Sequence, residues 1–229
     1  DSSHLRRRIL DFVRESGVWL ILGSPSYQAE GRRMDFGNSA FLVNPEGVPV
    51  DRYDKVHLVP YGEYVPLRRF FPFIGRLAVG IGDFRAGPAF KPVTLDGHGI
   101  GILICYEGIF PEAAGAYKRS GAELLVNITN DAWFGPTSAP LQHLSMSLFR
   151  AVENRVYLCR AANTGISALI SPTGEILDRT PLFVRTHLSG QVRYLGIPTF
   201  YSTYGDVFAY SCGALLCAIL IIKKARRRK

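Results

Sequence analysis

Read from its N-terminus, the chain alternates between helical and extended hydrophobic patterns. Residues 4–16 (HLRRRILDFVRES) put Leu5, Ile9, Phe12 and Val13 on one helical face, and Gly17 follows as a stop signal. The runs at 18–23 (VWLILG) and 39–44 (SAFLVN) predict two strands, and Pro45, Glu46 and Gly47 predict a hairpin connection. A strand pair is expected around 93–95 and 101–105, a helix over 111–120, a buried strand over 123–129 (ELLVNIT) and a longer helix over 141–154. Residues 157–162 and 167–170 predict two further strands, followed by a turn at Ser171-Pro172-Thr173-Gly174 that leads into 175–177. Strands interspersed with helices indicate an α/β layered fold, and no internal repeat or low-complexity linker interrupts it.

The pattern changes at the C-terminus. Residues 207–222 (VFAYSCGALLCAILII) carry no charge, and the segment reaches membrane-spanning length when counted from Phe200, apart from Asp206. Six cations crowd the last seven residues: Lys223, Lys224, Arg226, Arg227, Arg228 and Lys229. Tyr201, Tyr204 and Tyr210 at one end and the cations at the other predict a transmembrane helix over 200–222. The basic tail, 223–229, is then expected in the cytoplasm and the preceding domain, 1–199, on the opposite side. A buried core helix with a solvated basic end is the alternative, but it would have no need for such a cluster.

The cluster changes the meaning of the overall charge. The 229 residues carry a formal +8, and the six terminal cations leave only +2 for the other 222. Nucleic-acid partners are not expected, since such proteins spread basic residues over a face. With 47% hydrophobic residues and 27 aromatics, the chain is not disordered, and four cysteines are too few for a disulfide scaffold. The length suits one large domain. Because the sequence starts at Asp1 with no secretory segment, it is expected to be a fragment or mature form of something longer.

Three stretches carry candidate chemistry. The apolar run 101–104 ends in Cys105-Tyr106-Glu107-Gly108 before a helix starting near Pro111, and a strand end of this kind holds a nucleophile rigidly beside backbone N–H groups. Alone, it equally describes an ordinary buried cysteine. Residues 53–66 place Lys55, His57 and Glu63 in a loop rich in Pro and aromatics, and a lysine near a thiol favours the thiolate and offsets charge on an oxyanion. The third stretch, Asn127-Ile-Thr-Asn130-Asp131-Ala-Trp133-Phe134-Gly135, follows a buried strand and suggests either a pocket rim or a simple turn around a packed Trp. His57 and His143 are expected to be structural, since no metal-ligand spacing accompanies them, and no metal or cofactor is anticipated. Arg150, Glu153 and Asn154 suggest a structural ion pair, Cys159 an inert buried thiol with no disulfide to Cys105, and Arg68 to Arg76 either a membrane-facing loop or an inward-packed one.

Taken together, DRYDKVHLVPYGEYVPL (51–67), GILICYEGIFPE (101–112), NITNDAWFG (127–135) and 141–176 resemble the nitrilase superfamily. Within it they resemble the apolipoprotein N-acyltransferases of bacterial envelopes, in the family's order and over nearly the whole chain. The resemblance implies an αββα sandwich, truncated at its N-terminus and followed by one C-terminal transmembrane helix in the inner membrane, with the catalytic domain on the periplasmic side. It further implies that Cys105 takes an acyl group from a phospholipid as a thioester. The acceptor would be the N-terminal diacylglyceryl-cysteine of an apolipoprotein, in the last step of bacterial lipoprotein maturation. Lys55 would stabilise the tetrahedral intermediate, Glu63 would assist, and Tyr106, Glu107 and Trp133 would line the site.

One departure accompanies the match. The family's general base is a glutamate upstream of the first helix here, and neither Glu15 nor Glu30 lies in its motif, so the fragment alone is expected to be inactive. Two alternatives remain open: a C–N hydrolase (amidase or carbamoylase) using the same Cys-Lys-Glu set, and a non-catalytic membrane-tethered domain.

Overall fold

The computed structural model describes residues 2–30, 33–66 and 84–227. The 68–76 stretch therefore lies outside the described residues.

Helix α1 (Ser2–Ser16) ends where anticipated. Gly17 adopts φ +62° and its N–H closes onto the Val13 carbonyl at 2.9 Å, a conformation that costs glycine little. Val13 is fully buried, whereas Leu5 and Phe12 are exposed, so only the C-terminal part of the predicted apolar face meets the domain. Arg14 donates to the Glu46 carbonyl, which holds α1 against the turn at 45–47.

That turn joins the second and third strands of an antiparallel sheet, β1 (Leu20–Glu30), β2 (Arg33–Val43) and β3 (Pro49–Asp54). β1 and β2 pair without a break from Leu20 opposite Val43 to Glu30 opposite Arg33, far beyond the apolar runs at 18–23 and 39–44. Their outer halves contain Pro25, Gly37 and several charges, so local pattern gives no strand signal there, and each is extended because the other satisfies its backbone. β3, with the polar sequence PVDRYD, carries no strand signal for the same reason.

The second sheet has six strands in sequence order: β4 (Val93–Leu95), β5 (His98–Ile104), β6 (Ala122–Asn130), β7 (Tyr157–Asn163), β8 (Ala168–Ile170) and β9 (Ile176–Arg179). Its centre, β5-β6-β7, is parallel and its edges are antiparallel. Parallel pairing requires crossovers, and helices α2 (Pro111–Arg119) and α3 (Ala139–Asn154) provide them. Ala40, Leu42 and Tyr53 of the first sheet join Ile100, Ile102, Leu124 and Leu158 of the second in one core, to which α2 and α3 add Ala113, Ala114, Tyr117, Leu144 and Ala151. Sheet thus packs on sheet, with helices against the larger one. Gly101 permits the closest approach of α2, since a Cβ there would lie 2.8 Å from the Tyr117 ring.

After β9, a strap without regular structure crosses the domain, with Leu195 hydrogen-bonded to Glu123 and Lys118. It ends in α4 (Phe200–Tyr204), capped by Thr199 and tied by Arg119 to the Ser202 carbonyl and by Thr199 Oγ1 to the Glu153 carbonyl. Gly205 then breaks the chain before α5 (Val207–Arg226). The predicted helix over 200–222 is therefore two helices: α4 belongs to the domain, because its backbone is bound there. α5 is the one helix among the described residues long and apolar enough to cross a membrane, with a mean hydropathy of 1.8 and none of it buried.

Candidate active site

The C-terminal ends of β5 and β6 and the segment after β3 converge on one region. β5 is buried along 100–104, and the chain turns at once into a single 3-10 turn, Cys105–Ile109. Cys105 itself has φ +53°, the left-handed region that non-glycine residues adopt at a cost of roughly 1–3 kcal/mol, so the surroundings must hold it there. The residue is half-buried, and the adjoining Tyr106 is exposed.

Glu107 is what fixes this turn. Its carboxylate accepts from Ile104 N at 2.8 Å, Val56 N at 2.9 Å, His57 N at 3.0 Å and the Tyr53 hydroxyl at 2.8 Å. Burial raises the carboxyl above its usual range, while the donors from His57, Ile104 and Tyr53 and the charge on Lys55 pull it back. Burial pushes the Tyr53 hydroxyl far up, so Tyr53 remains a neutral donor. Glu107 is completely buried and staples the Lys55 segment to the Cys105 turn.

Lys55 is brought in by that staple. Its ammonium, 1% exposed, donates to both oxygens of Glu63 at 2.9 and 2.8 Å. Glu63 also accepts from Asn38 Nδ2 at 2.7 Å and Val59 N at 2.8 Å, which holds the loop over 59–63 against β2. His57 stacks on Phe110 with ring centroids 3.8 Å apart.

A buried polar network lies behind Cys105. Asn127, Thr129 and Asp131 follow the alternation of β6 and its end, so they share one side of the strand. Asp131 accepts from Arg160 of β7 at 2.8 Å and from Thr129 at 3.0 Å, and faces His143 Nδ1 at 3.0 Å. Burial raises its carboxyl, but the hydrogen bond from His143 and the charge on Arg160 outweigh this and hold it below the usual aspartate range. Arg150 donates to the Ile109 carbonyl at 2.5 Å and pairs with Glu153 at 2.6 Å, the ion pair anticipated from sequence, and so anchors the far end of the Cys105 turn. Burial pushes the Cys159 thiol up to about 11, which keeps it protonated at neutral pH.

The rim is aromatic. Trp133 is 86% exposed, on the short turn Ala132–Phe134, and Phe134 packs edge-on to His143. Tyr106 packs edge-on to Phe110 at 5.4 Å.

Asn38 and Arg160 lie outside the three stretches singled out in the sequence, and Tyr53, Asn127 and Asp131 lie within them without an individual role assigned. For Arg160 a signal existed: a charged residue inside the apolar strand YLCRAAN needs a buried partner.

A cysteine held on a strained turn, with a lysine-glutamate pair joined to it through a second glutamate, is an arrangement suited to a thiol that attacks acyl groups. The chain belongs to the carbon-nitrogen hydrolase family, whose pattern matches residues 2–194. It is 50% identical to the apolipoprotein N-acyltransferase of Geobacter metallireducens over 98% of this chain and 43% of that protein. It is 37% identical to the protein of the same name from Ralstonia nicotianae, over 96% of this chain and 42% of that one. The chain thus spans less than half the length of these relatives. Among solved structures, an amidase from Nesterenkonia sp. superposes with a TM-score of 0.57 at 25% identity, over 79% of this chain and 63% of that one. A carbon-nitrogen hydrolase from Helicobacter pylori shares the fold, with a TM-score of 0.59 over 78% of this chain and 63% of that one, at 18% identity. A variant of the same amidase carries the acetamide moiety of fluoroacetamide covalently on its active-site cysteine.

Proposed function

We propose that this chain is the catalytic part of an apolipoprotein N-acyltransferase that uses Cys105 as nucleophile, a phospholipid as acyl donor and the amine of a diacylglyceryl-cysteine as acceptor. In the first half-reaction the Cys105 sulfur attacks the ester carbonyl carbon; a C–S bond forms, the C–O bond breaks and lysophospholipid leaves with a proton. In the second, the acceptor amine attacks the thioester; a C–N bond forms, the C–S bond breaks and the thiol is regenerated. Splitting one acyl transfer into two steps lowers the barrier of each.

Lys55 offsets the charge of the oxyanion, Glu63 holds its ammonium in place, and Glu107 positions both by joining the two segments. Tyr106 and Trp133 form the wall against which the acyl chain packs. The observation that carries this reading is the Glu107 carboxylate, which binds Ile104 N next to Cys105 and Val56 N next to Lys55 at 2.8 and 2.9 Å. In this reading residues 1–199, together with α4, are the catalytic domain. α5 spans the bacterial inner membrane, with the basic tail, 223–229, in the cytoplasm and the domain on the periplasmic side. A membrane anchor places the site beside its lipid donor.

The test is incubation of the full-length protein, and of its Cys105→Ala variant, with phospholipid and a diacylated lipopeptide. N-acylation that disappears in Cys105→Ala supports the reading. Hydrolysis without N-acylation would assign the chain to the amidases instead, and no turnover of either kind would leave a non-catalytic tethered domain.

A further inference from the structure

The backbone carbonyl of Cys105 is where the buried network meets the nucleophile. Asn127 Nδ2 lies 3.2 Å from it and His143 Nε2 lies 3.3 Å from it. A carbonyl oxygen only accepts, so His143 Nε2 carries a hydrogen and donates it. On the opposite side of the ring, Nδ1 faces Asp131 Oδ1 at 3.0 Å and Arg160 Nη2 at 3.1 Å. Arg160 in turn donates to Asp131 Oδ2 at 2.8 Å and to Asn127 Oδ1. The contacts close a ring that runs from the Cys105 carbonyl through His143, Asp131, Arg160 and Asn127 back to the same carbonyl. Its side chains are nearly sealed: His143 is 4% exposed, Arg160 3%, Asp131 1% and Asn127 0%.

The peptide unit this ring holds joins Cys105 to Tyr106. In a trans peptide the C=O and N–H point to opposite sides. Two donors drawing the Cys105 carbonyl into the network therefore direct the Tyr106 N–H away from it. The left-handed φ of Cys105, +53°, is a conformation the chain would leave if released.

Resting on the thioester chemistry proposed above, we infer that His143 is a positioning residue: its Nε2–H holds the Cys105–Tyr106 peptide so that the Tyr106 N–H is presented to the oxyanion that forms on the Cys105-bound acyl group. The groups facing His143 are Asp131 after β6, Arg160 of β7, and Cys105 and Tyr106 of the nucleophile's turn. Of these, the Cys105 carbonyl is the partner of Nε2.

The experiment uses the full-length protein, p-nitrophenyl acetate as a small acyl donor and iodoacetamide as a probe of the thiol. In His143→Asn the shorter amide takes the place of Nδ1 against Asp131 and does not reach the carbonyl; in His143→Gln the amide N–H takes the place of Nε2. The acylation kcat of His143→Asn falls at least tenfold, a part of what a lost oxyanion donor costs. Its KM and its alkylation rate stay within about threefold of the unchanged protein, and His143→Gln recovers to within about threefold in kcat.

The inference is overturned if His143→Asn acylates like the unchanged protein, if His143→Gln does no better than His143→Asn, or if alkylation and acylation fall together. It is also overturned if His143→Gln does not fold by circular dichroism, or if the unchanged protein is not acylated on Cys105 by the ester. Because the ester bypasses both natural substrates, failure of phospholipid or lipopeptide to react would overturn the proposed substrates while leaving the role of His143 to be decided by these rates.

Discussion

Glu63 holds the ammonium of Lys55 with both carboxylate oxygens, at 2.9 and 2.8 Å, in a site where the lysine side chain is 1% exposed. Such a pair stabilises little when complete, because desolvation offsets the attraction, yet breaking it strands a charge. Glu63→Ala is expected to cost about 3 kcal/mol in chemical denaturation. The double variant Lys55→Met plus Glu63→Ala should be more stable than Glu63→Ala alone, since the stranded charge is gone, while acyl transfer is lost in both.

Gly108 lies where the Cys105 turn meets the buried network. A Cβ there would stand 2.8 Å from Ser147 Oγ and 3.2 Å from Asn127 Nδ2, both buried. Gly108→Ala should therefore cost about 1–3 kcal/mol and slow acylation of Cys105, as overpacking in a rigid site does. Gly115→Ala in α2 provides the contrast: its Cβ meets only the far end of the Arg119 side chain, at 3.1 Å, and the change should be neutral or stabilising by up to about 1 kcal/mol. Thermal melts of the two variants check the pair.

Asp131 makes stability depend on acid. Its folded carboxyl titrates below the usual range, so the unfolded chain takes up the proton first as pH falls. The contribution is complete above the unfolded aspartate pKa, about 3.9, and is lost as pH drops through the lower folded value. Asp131→Asn should flatten this acid limb. Stability measured in urea from pH 6 to 3 should then converge between the two proteins at the acid end.

Trp133 is 86% exposed and contributes little to folding. Trp133→Ala should change stability by less than about 0.5 kcal/mol, as expected of surface positions. If the ring packs on an acyl chain, the same variant should raise KM for a long-chain phospholipid donor far more than for p-nitrophenyl acetate, measured with the full-length protein.

How much of this was legible in the sequence differs by element. Period and punctuation marked α1 with its glycine stop, β5, α2, β6 and α3, because each buries one regular face against the core and local pattern records that. The distal halves of β1 and β2, and all of β3, carried no such record. Their polar residues are extended only because a neighbouring strand completes their hydrogen bonds. The apolar tail was legible as a membrane-length segment, but its start was not: the aromatic residues Phe200, Tyr201 and Tyr204 belong equally to a belt or to a packed helix, and the hydrogen bonds from Arg119 and Thr199 decided for the latter.

The site divides in the same way. The sequence by itself determined the chemical groups, a thiol, a lysine and carboxylates in stretches specific enough to mark a family, because those residues cannot be exchanged without changing reactivity. Tertiary structure alone decided their tasks. Glu63 and Glu107 are both glutamates beside the same lysine segment, yet one partners the ammonium and the other is sealed under the turn, fixed by three backbone N–H groups and a tyrosine hydroxyl. Asp131, His143 and Arg160 lie 12 and 17 residues apart and meet only because parallel strands bring β6 beside β7 and α3 crosses over them. A hydrogen bond between distant residues depends on distance in space, which neither composition nor spacing along the chain encodes.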